Sequence, residues 1–463
     1  MLEMLFSLFH ENGEELYLVG GYVRDWLLGL ETRDYDFTTS AKPEVTMDIL
    51  ESGGFRVIPI GMEFGTVAAI IDGDSDSAEI QITTYRCLES YRKGSRHPDV
   101  VFGMNLEEDL ERRDFTVNAM AMDELGTIID PLGGRRDLKE KIIRTPLSPE
   151  ETFSEDPLRM LRAFRFACRL GFSIEEKTLE AIGKQHHCIV DISRERWKME
   201  MDSLLTTDDG EELSRVLEMM RDSGIIQDMI PQFTEMFMQD GVPQGKAHYG
   251  DVWEHTLDVV KKTKSGNTCL RWAALLHDIG KPPCRTVDEG GNTHYYGHEK
   301  IGSDYVNGTA ERFRFSKKER KCISFLVANH MRPVLYSSEW SDRAVRKLAI
   351  DSGEYLDLLL DLAQADIAAH AEPYSSEGAA RLADLRERLR RLTKDTRRRL
   401  LPRDLGKALM KRAGEGSSSE TGIILSNLEE LVHQGILPEM APARIYLDYL
   451  DEHPELNQRQ SCL

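Results

Sequence analysis

The chain has 463 residues, 40% hydrophobic and 30% charged, with 59 basic against 80 acidic side chains and a formal net charge of −21. That length exceeds a single core and implies about three or four domains. Apolar runs such as Ile423 to Leu425 are far too short to span a bilayer, and the acidic balance taken alone argues against a nucleic-acid partner. Seven cysteines, an odd number with no CxxC pair, fit reduced thiols in a cytoplasmic protein.

The opening MLEMLFSLFHENGEE has no basic n-region and no small-residue cleavage site, so it reads as an amphipathic helix rather than a signal peptide. Residues 17–38, YLVGGYVRDWLLGLETRDYDFT, read as a short apolar strand ending in Gly20-Gly21, a helix carrying Arg24 and Asp25, a turn at Gly29 and a second strand. On that second strand Asp34 and Asp36 alternate with Tyr35 and Phe37, which puts the two carboxylates on one face. Paired carboxylates beside a glycine turn suit two Mg²⁺ ions bound to a nucleoside triphosphate. Gly21 would let backbone approach phosphates with no Cβ in the way, and Arg24 would pair with them.

Residues 43–52 read as a helix, 55–59 as a strand, and 66–71 and 78–85 as two strands joined by a polar turn, with Glu79 on the second. Arg86 to Pro98 is polar, basic and aperiodic, and reads as a functional loop. A short helix over 106–112 leads to RRDFTVNAMAMD, where Arg112, Arg113, Asp114 and Asn118 crowd beside an apolar strand from Val117 to Met122. Two arginines beside an aspartate suit a triphosphate and its metal. A surface ion pair is the commoner use of such a trio. Asp114 and Glu79 are both candidates for a third acidic ligand, and the residues do not separate them.

SEDPLRMLRAFRFACRLG, residues 154–171, reads as one helix capped by Ser154, with Arg159, Arg162, Arg165 and Arg169 on one face. Asp156 accepts hydrogen bonds and Arg159 donates them. Cytosine and adenine each present an amino donor beside a ring-nitrogen acceptor, which this pair matches; uracil and guanine would leave both contacts unmade. Residues 172–230 continue as amphipathic helices.

Helices beyond a linker near 241–250 carry His255, His277-Asp278, His298, His330 and Asp366. Imidazole and carboxylate from several helices suit one centre holding a divalent transition metal or Mg²⁺. From Arg381 to Arg412 basic residues dominate, including Arg397, Arg398, Arg399 and Arg403; a phosphate-contact surface and a solvated helix face fit this equally.

The ordered set GGYVRDWLLG, RDYDF, EIQITTYR, RRDFTVNAMA and IIDPLGGRRDLKEKIIR resembles the head of the class II tRNA nucleotidyltransferases, the CCA-adding enzymes, a family that includes bacterial poly(A) polymerases. The order H…HD…H…H…D resembles the HD phosphohydrolases, in which His255, His277, Asp278 and Asp366 match the core ligands and His298 and His330 the extra ones of two-metal members. The resemblance implies an α+β chain: a nucleotidyltransferase head over 1–150, a helical neck with the nucleotide-selecting helix over 151–235, an HD domain over 245–370 and a helical tail over 371–463. It implies addition of CCA to the tRNA 3′ end from CTP and ATP, with two Mg²⁺ at the head. Asp156, Arg159, Arg162 and Arg165 would contact the nucleotide, Arg397 to Arg403 the tRNA backbone, and the HD domain would hydrolyse phosphoesters. A-only addition, poly(A) synthesis and an HD hydrolase with an RNA-binding head stay open as alternatives, as does the oligomeric state.

Overall fold

The computed structural model describes residues 2–32, 34–58, 62–72, 77–91, 98–237, 242–243, 250–396, 400–413, 418–433 and 435–457. The chain forms two compact units, Met1–Leu335 with Glu354–Ala380, and Tyr336–Gly353 with Arg381–Leu463.

The first unit begins with α1 (Leu2–Glu11), whose Leu5, Phe6 and Phe9 are buried. A seven-stranded sheet follows in the order β3-β4-β5-β2-β1-β8-β9. Its strands are β1 (Leu16–Val19), β2 (Tyr35–Thr39), β3 (Arg56–Ile58), β4 (Thr66–Asp72), β5 (Ser77–Thr84), β8 (Ala121–Met122) and β9 (Ile128–Ile129). Only β2 and β5 pair in parallel; every other neighbour is antiparallel. Short helices α2 (Gly21–Leu27), α3 (Pro43–Ser52) and α4 (Leu106–Glu111) interleave with the strands. The mixed sheet and the helical remainder make the α+β architecture expected above.

Two local expectations are corrected. Arg86 to Pro98 is bounded by a hairpin, β6 (Arg86–Tyr91) against antiparallel β7 (Pro98–Phe102), rather than being loop throughout; residues 92–97 lie outside the described residues. Backbone ladder bonds build a hairpin without needing an apolar stripe, so the missing periodicity gave no warning. The stretch from Val117 is a 3₁₀ turn (Thr116–Asn118) before the two-residue β8, because only Ala121 and Met122 find partners on β1.

The neck is built from α5 (Pro149–Glu155), α6 (Leu158–Leu170), α7 (Glu176–Gln185), α8 (Arg194–Leu205) and α9 (Gly210–Asp222). The expected single helix from Ser154 is broken. Ser148 caps α5, Ser154 bonds back to the Glu150 carbonyl at 2.7 Å, and Asp156 stands extended between α5 and α6. The break falls before Pro157, where the ring disfavours helical backbone in the preceding residue.

Five further helices carry the histidine set: α10 (Val252–Lys262), α11 (Thr268–Leu276), α12 (His298–Arg312), α13 (Lys317–Asn329) and α14 (Leu356–Ala368). Capping boxes start α10 (Asp251 with Glu254) and α13 (Ser316 with Glu319), fixing where those helices begin. Trp253 and Trp272 are fully buried among them.

The second unit contains the helices Asp342–Ser352, Leu405–Ala413, Ser418–His433 and Ala443–Glu452. Leu401, Leu405, Leu409, Leu428, Tyr446 and Leu450 form its core. Arg403 is exposed there, and Arg397, Arg398 and Arg399 lie outside the described residues. Among the described residues no helix is long and apolar enough to cross a membrane.

Candidate active site and metal centre

The strand–turn–helix at Gly20 positions the first site. Gly20 takes φ 69° and ψ −131°, and a Cβ there would sit 3.2 Å from Arg113 Nη1 and 4.0 Å from Asp36 Oδ2. The position thus needs glycine for both conformation and space. Gly21, the residue expected to need the room, would meet only ordinary contact, Arg24 Nη2 at 3.6 Å.

Asp34 is exposed just before β2, while Asp36 is on the strand and partly buried. Burial and the neighbouring Asp34 charge push the Asp36 carboxyl up to about 6 despite the pull of Arg113. A divalent cation bound there would offset the charge of the two carboxylates, which Arg113 offsets only in part.

The two candidates for a third acidic ligand separate. Glu79 is exposed on β5, and the β2–β5 register sets Asp36 opposite Gln81 and Tyr35 opposite Ile80, so Glu79 shares the Gln81 face one step toward Asp34. Asp114 is spent elsewhere. Its Oδ1 accepts from Phe115 N (2.8 Å) and Asn118 Nδ2 (3.0 Å), and its Oδ2 accepts from Arg162 Nε (2.7 Å). Burial alone would raise its pKa, but the Arg162 charge and these bonds bring it down to about 2.

Arg24 is also turned inward. It is 3% exposed, its Nε donates to Asp25 and its Nη1 to Asn118 Oδ1, both at 2.7 Å. Phosphates would instead face Arg113, whose Nε is buried without a hydrogen-bond partner.

A cleft of about 260 Å³ opens between head and neck, lined by Arg112, Arg113, Asp114, Asp156, Leu158, Arg159, Arg162 and Arg196. Asp156 and Arg159 both reach it, but their side chains bond other partners rather than each other. Asp156 caps α6 by accepting from Leu158 N at 3.1 Å and takes a two-pronged bond from Arg196 (3.2 and 2.7 Å). Arg159 donates to Glu155 Oε2 (3.1 Å) and to the Arg112 carbonyl (2.8 Å). Arg165 is bound to Glu200 at 2.5 Å and lies over the Phe166 ring, 4.2 Å from its centroid. Arg196, Glu200 and Glu155 were not picked out from the sequence; Arg196 and Glu200 lie four apart on α8, a spacing shared by many ordinary helix-face pairs.

The histidine set converges on a second centre. His255, His277 and Asp366 form one buried group of potential ligands, and Asp278, His298 and His330 another. Asp278 touches both, with Oδ2 3.1 Å from His277 Nε2 and Oδ1 3.3 Å from His298 Nε2. His277, His298 and His330 each place Nδ1 2.8 Å from a backbone carbonyl, that of Ala274, Tyr295 and Val327. A carbonyl only accepts, so Nδ1 carries the hydrogen and each ring turns its Nε2 inward. The Nε2 atoms of His298 and His330 then face each other at 3.2 Å.

Buried His277 Nε2 and Asp278 Oδ2 face each other at 3.1 Å, and the Lys281 ammonium stands 2.7 Å from that oxygen as an ion pair. Burial pushes His330 down to about 3, so it is a neutral donor. Imidazole Nε2 atoms and carboxylates converging in this way are the donor set of bound divalent cations. Lys281 and His370, the latter 3.3 Å from Asp366 Oδ1, went unmarked in the sequence. A cleft of about 650 Å³ leads to this centre past Tyr295, Tyr296, Met331 and Tyr374.

Residues 16–144 match the family model of the poly A polymerase head domain, residues 171–237 that of a probable RNA- and SrmB-binding site of polymerase A, and residues 248–367 the HD domain. The CCA-adding enzyme of Geobacillus thermodenitrificans is 36% identical over 293 residues, 61% of this chain and 66% of that protein. That of Bacillus pumilus is 44% identical over 196 residues, 42% of this chain and 47% of that protein. The chain spans about half the length of most of the curated relatives it matches. The crystal structure of the Bacillus stearothermophilus CCA-adding enzyme in complex with CTP aligns with a TM-score of 0.67 and 26% identity, covering 98% of this chain and 97% of that one. The chain thus carries a poly A polymerase head domain, a segment like the polymerase's probable RNA-binding site and an HD domain, and along most of its length it is similar to CCA-adding enzymes.

Proposed function

We propose that the chain adds CCA to the 3′ end of tRNA from CTP and ATP, without a nucleic-acid template, and that its HD centre hydrolyses phosphoesters. The observation that carries the first activity is the placement of Asp156 and Arg159 in one cleft with Arg113, itself beside Asp36 and Gly20. The base-reading pair and the carboxylate pair thus serve one nucleotide.

Asp34 and Asp36, with Glu79, would hold Mg²⁺. When bound, Mg²⁺ acidifies the RNA 3′-hydroxyl and neutralises charge on the leaving pyrophosphate. The chain's own residues do the rest. Arg113 meets the phosphates with a guanidinium anchored by Asp109 at 2.9 Å. Asp156 accepts the amino hydrogen of C or A and Arg159 donates to the adjacent ring nitrogen. Uracil and guanine bring the reverse pattern, so neither contact to the base forms. Arg403 and its basic neighbours would meet tRNA phosphates through salt-sensitive contacts. Asp34→Ala should abolish nucleotide addition without altering the thermal midpoint; activity retained in that variant would refute the assignment.

At the HD centre, His255, His277, Asp366, Asp278, His298 and His330 would hold divalent metal, a transition metal or Mg²⁺, which when bound activates water for attack on phosphorus. Lys281 fixes the Asp278 carboxylate, and the backbone carbonyls fix the rings. Release of phosphate from a phosphomonoester by wild-type protein, and its loss in Asp278→Ala, tests this activity.

A further inference from the structure

We propose that Asp109 is a positioning residue for nucleotide addition, a single buried carboxylate that sets the catalytic strand, the base-reading arginine and the root of the β6–β7 hairpin in one arrangement. The inference rests on the reading of the head as a nucleotide-adding site.

Asp109, on α4, is 0% exposed and cannot itself touch a nucleotide. Its Oδ1 accepts from Arg112 Nε (3.1 Å), Arg112 Nη2 (2.7 Å) and Arg86 N (3.2 Å). Its Oδ2 accepts from Arg113 Nη2 (2.9 Å) and stands 3.2 Å from Thr38 Oγ1, whose one hydrogen is shared between this oxygen and the Thr83 carbonyl, also at 3.2 Å. A carboxylate offers about four lone-pair sites, so this one is saturated and its partners cannot shift independently.

Each partner leads to a different part of the reaction. Thr38 lies two residues beyond Asp36 on the same face of β2, so its hydroxyl fixes the height of the metal-binding strand. Arg113 extends its other terminal nitrogen to the Gly20–Asp36 corner. Arg112 presents the carbonyl on which Arg159 Nη2 rests at 2.8 Å. Arg86 begins β6, and its Nη2 also donates to Thr66 Oγ1 at 3.0 Å. The two guanidiniums that it holds belong to residues that each add a further group at the cleft, Arg113 its Nη1 and Arg112 its backbone carbonyl. In a low-dielectric interior such shared charge-assisted bonds are strong and directional.

The test uses the full chain and a tRNA lacking its terminal CCA. Asp109→Asn keeps the volume but turns one oxygen into a donor that faces N–H groups; Thr38→Val removes the hydroxyl shared by Asp109 and the Thr83 carbonyl and keeps the charge. Single-nucleotide kinetics would be read with CTP and with UTP, alongside thermal midpoints. For Asp109→Asn we expect kcat for CTP to fall about 10- to 100-fold, the range seen when a supporting shell is removed, and the CTP-over-UTP preference to fall severalfold as Arg159 loses its anchor. Thr38→Val should lower kcat severalfold at an unchanged preference and midpoint. An Asp109→Asn protein whose activity falls only in step with its folded fraction, at unchanged CTP-over-UTP preference, would overturn the proposal. If that variant does not fold, Thr38→Val decides: wild-type kcat overturns it and reduced kcat at an unchanged midpoint supports it. Wild-type protein that adds no nucleotide would overturn both this inference and the reading beneath it.

Discussion

Arg196 grips Asp156 with both ends of its guanidinium, 3.2 Å to Oδ1 and 2.7 Å to Oδ2, from a helix forty residues further along the chain. The grip holds the Asp156 side chain in one rotamer, with its oxygens turned as acceptors. Charge-assisted bonds of this kind contribute about 1.5–3 kcal/mol each. Arg196→Ala should therefore reduce the preference for CTP over UTP by about tenfold or more, with Arg196→Lys recovering part of it. Single-turnover incorporation with each nucleotide measures this, and equal preferences in all three proteins would count against it.

Asp36 gives a pH dependence with a definite sign. Its carboxyl is raised to about 6 by burial and by Asp34, so a proton competes with Mg²⁺ below that pH and hardly at all above it. The Mg²⁺ concentration needed for half-maximal nucleotide addition should rise about tenfold per pH unit below 6 and stay level from 7 to 8. A requirement that is flat from pH 5 to 8 would remove Asp36 from the metal site.

Glu79 and Asp114 should fail in different ways. Glu79→Gln should raise the Mg²⁺ requirement with little change in stability. Asp114→Ala removes the shorter of the Arg162 ion pairs and leaves only Glu200 at 3.7 Å among those seen, so it should cost about 1–3 kcal/mol of folding free energy. Urea denaturation and Mg²⁺ titration on both variants distinguish the two, and the reverse pattern would exchange their roles.

Much of the head was legible because alternation and turn chemistry leave local traces. The helix over 43–52 and the strands β3, β4 and β5 fall within a residue or so of where the pattern put them. Asp156 and Arg159 were legible as chemistry, since their donor and acceptor types define which base edge they fit. Their geometry was not: a proline at the first turn is compatible with one continuous helix, whereas here Pro157 starts a second one and Asp156 is left as the hinge between them. Partners that act across long sequence separations, Arg196 on Asp156, Asp109 on Thr38 and His370 near His255, leave no periodic signal. Only the fold brings them together. Gly20 rather than Gly21 as the constrained glycine also needed a backbone angle to decide.

The HD centre should hold two divalent ions per chain, one on each group of three ligands. His298→Ala should remove about one equivalent by elemental analysis of dialysed protein and leave tRNA nucleotide addition at the wild-type rate. Metal content equal to wild type in that variant would reduce the second group to a hydrogen-bonded cluster.

The most direct test is the length of the product made by purified protein on a tRNA that lacks its last three nucleotides. With CTP alone two residues should be added, with ATP alone none, and with both together three, after which synthesis stops. Unlimited addition of A, addition of A only to a tRNA already ending in CC, or no addition at all would contradict the assignment.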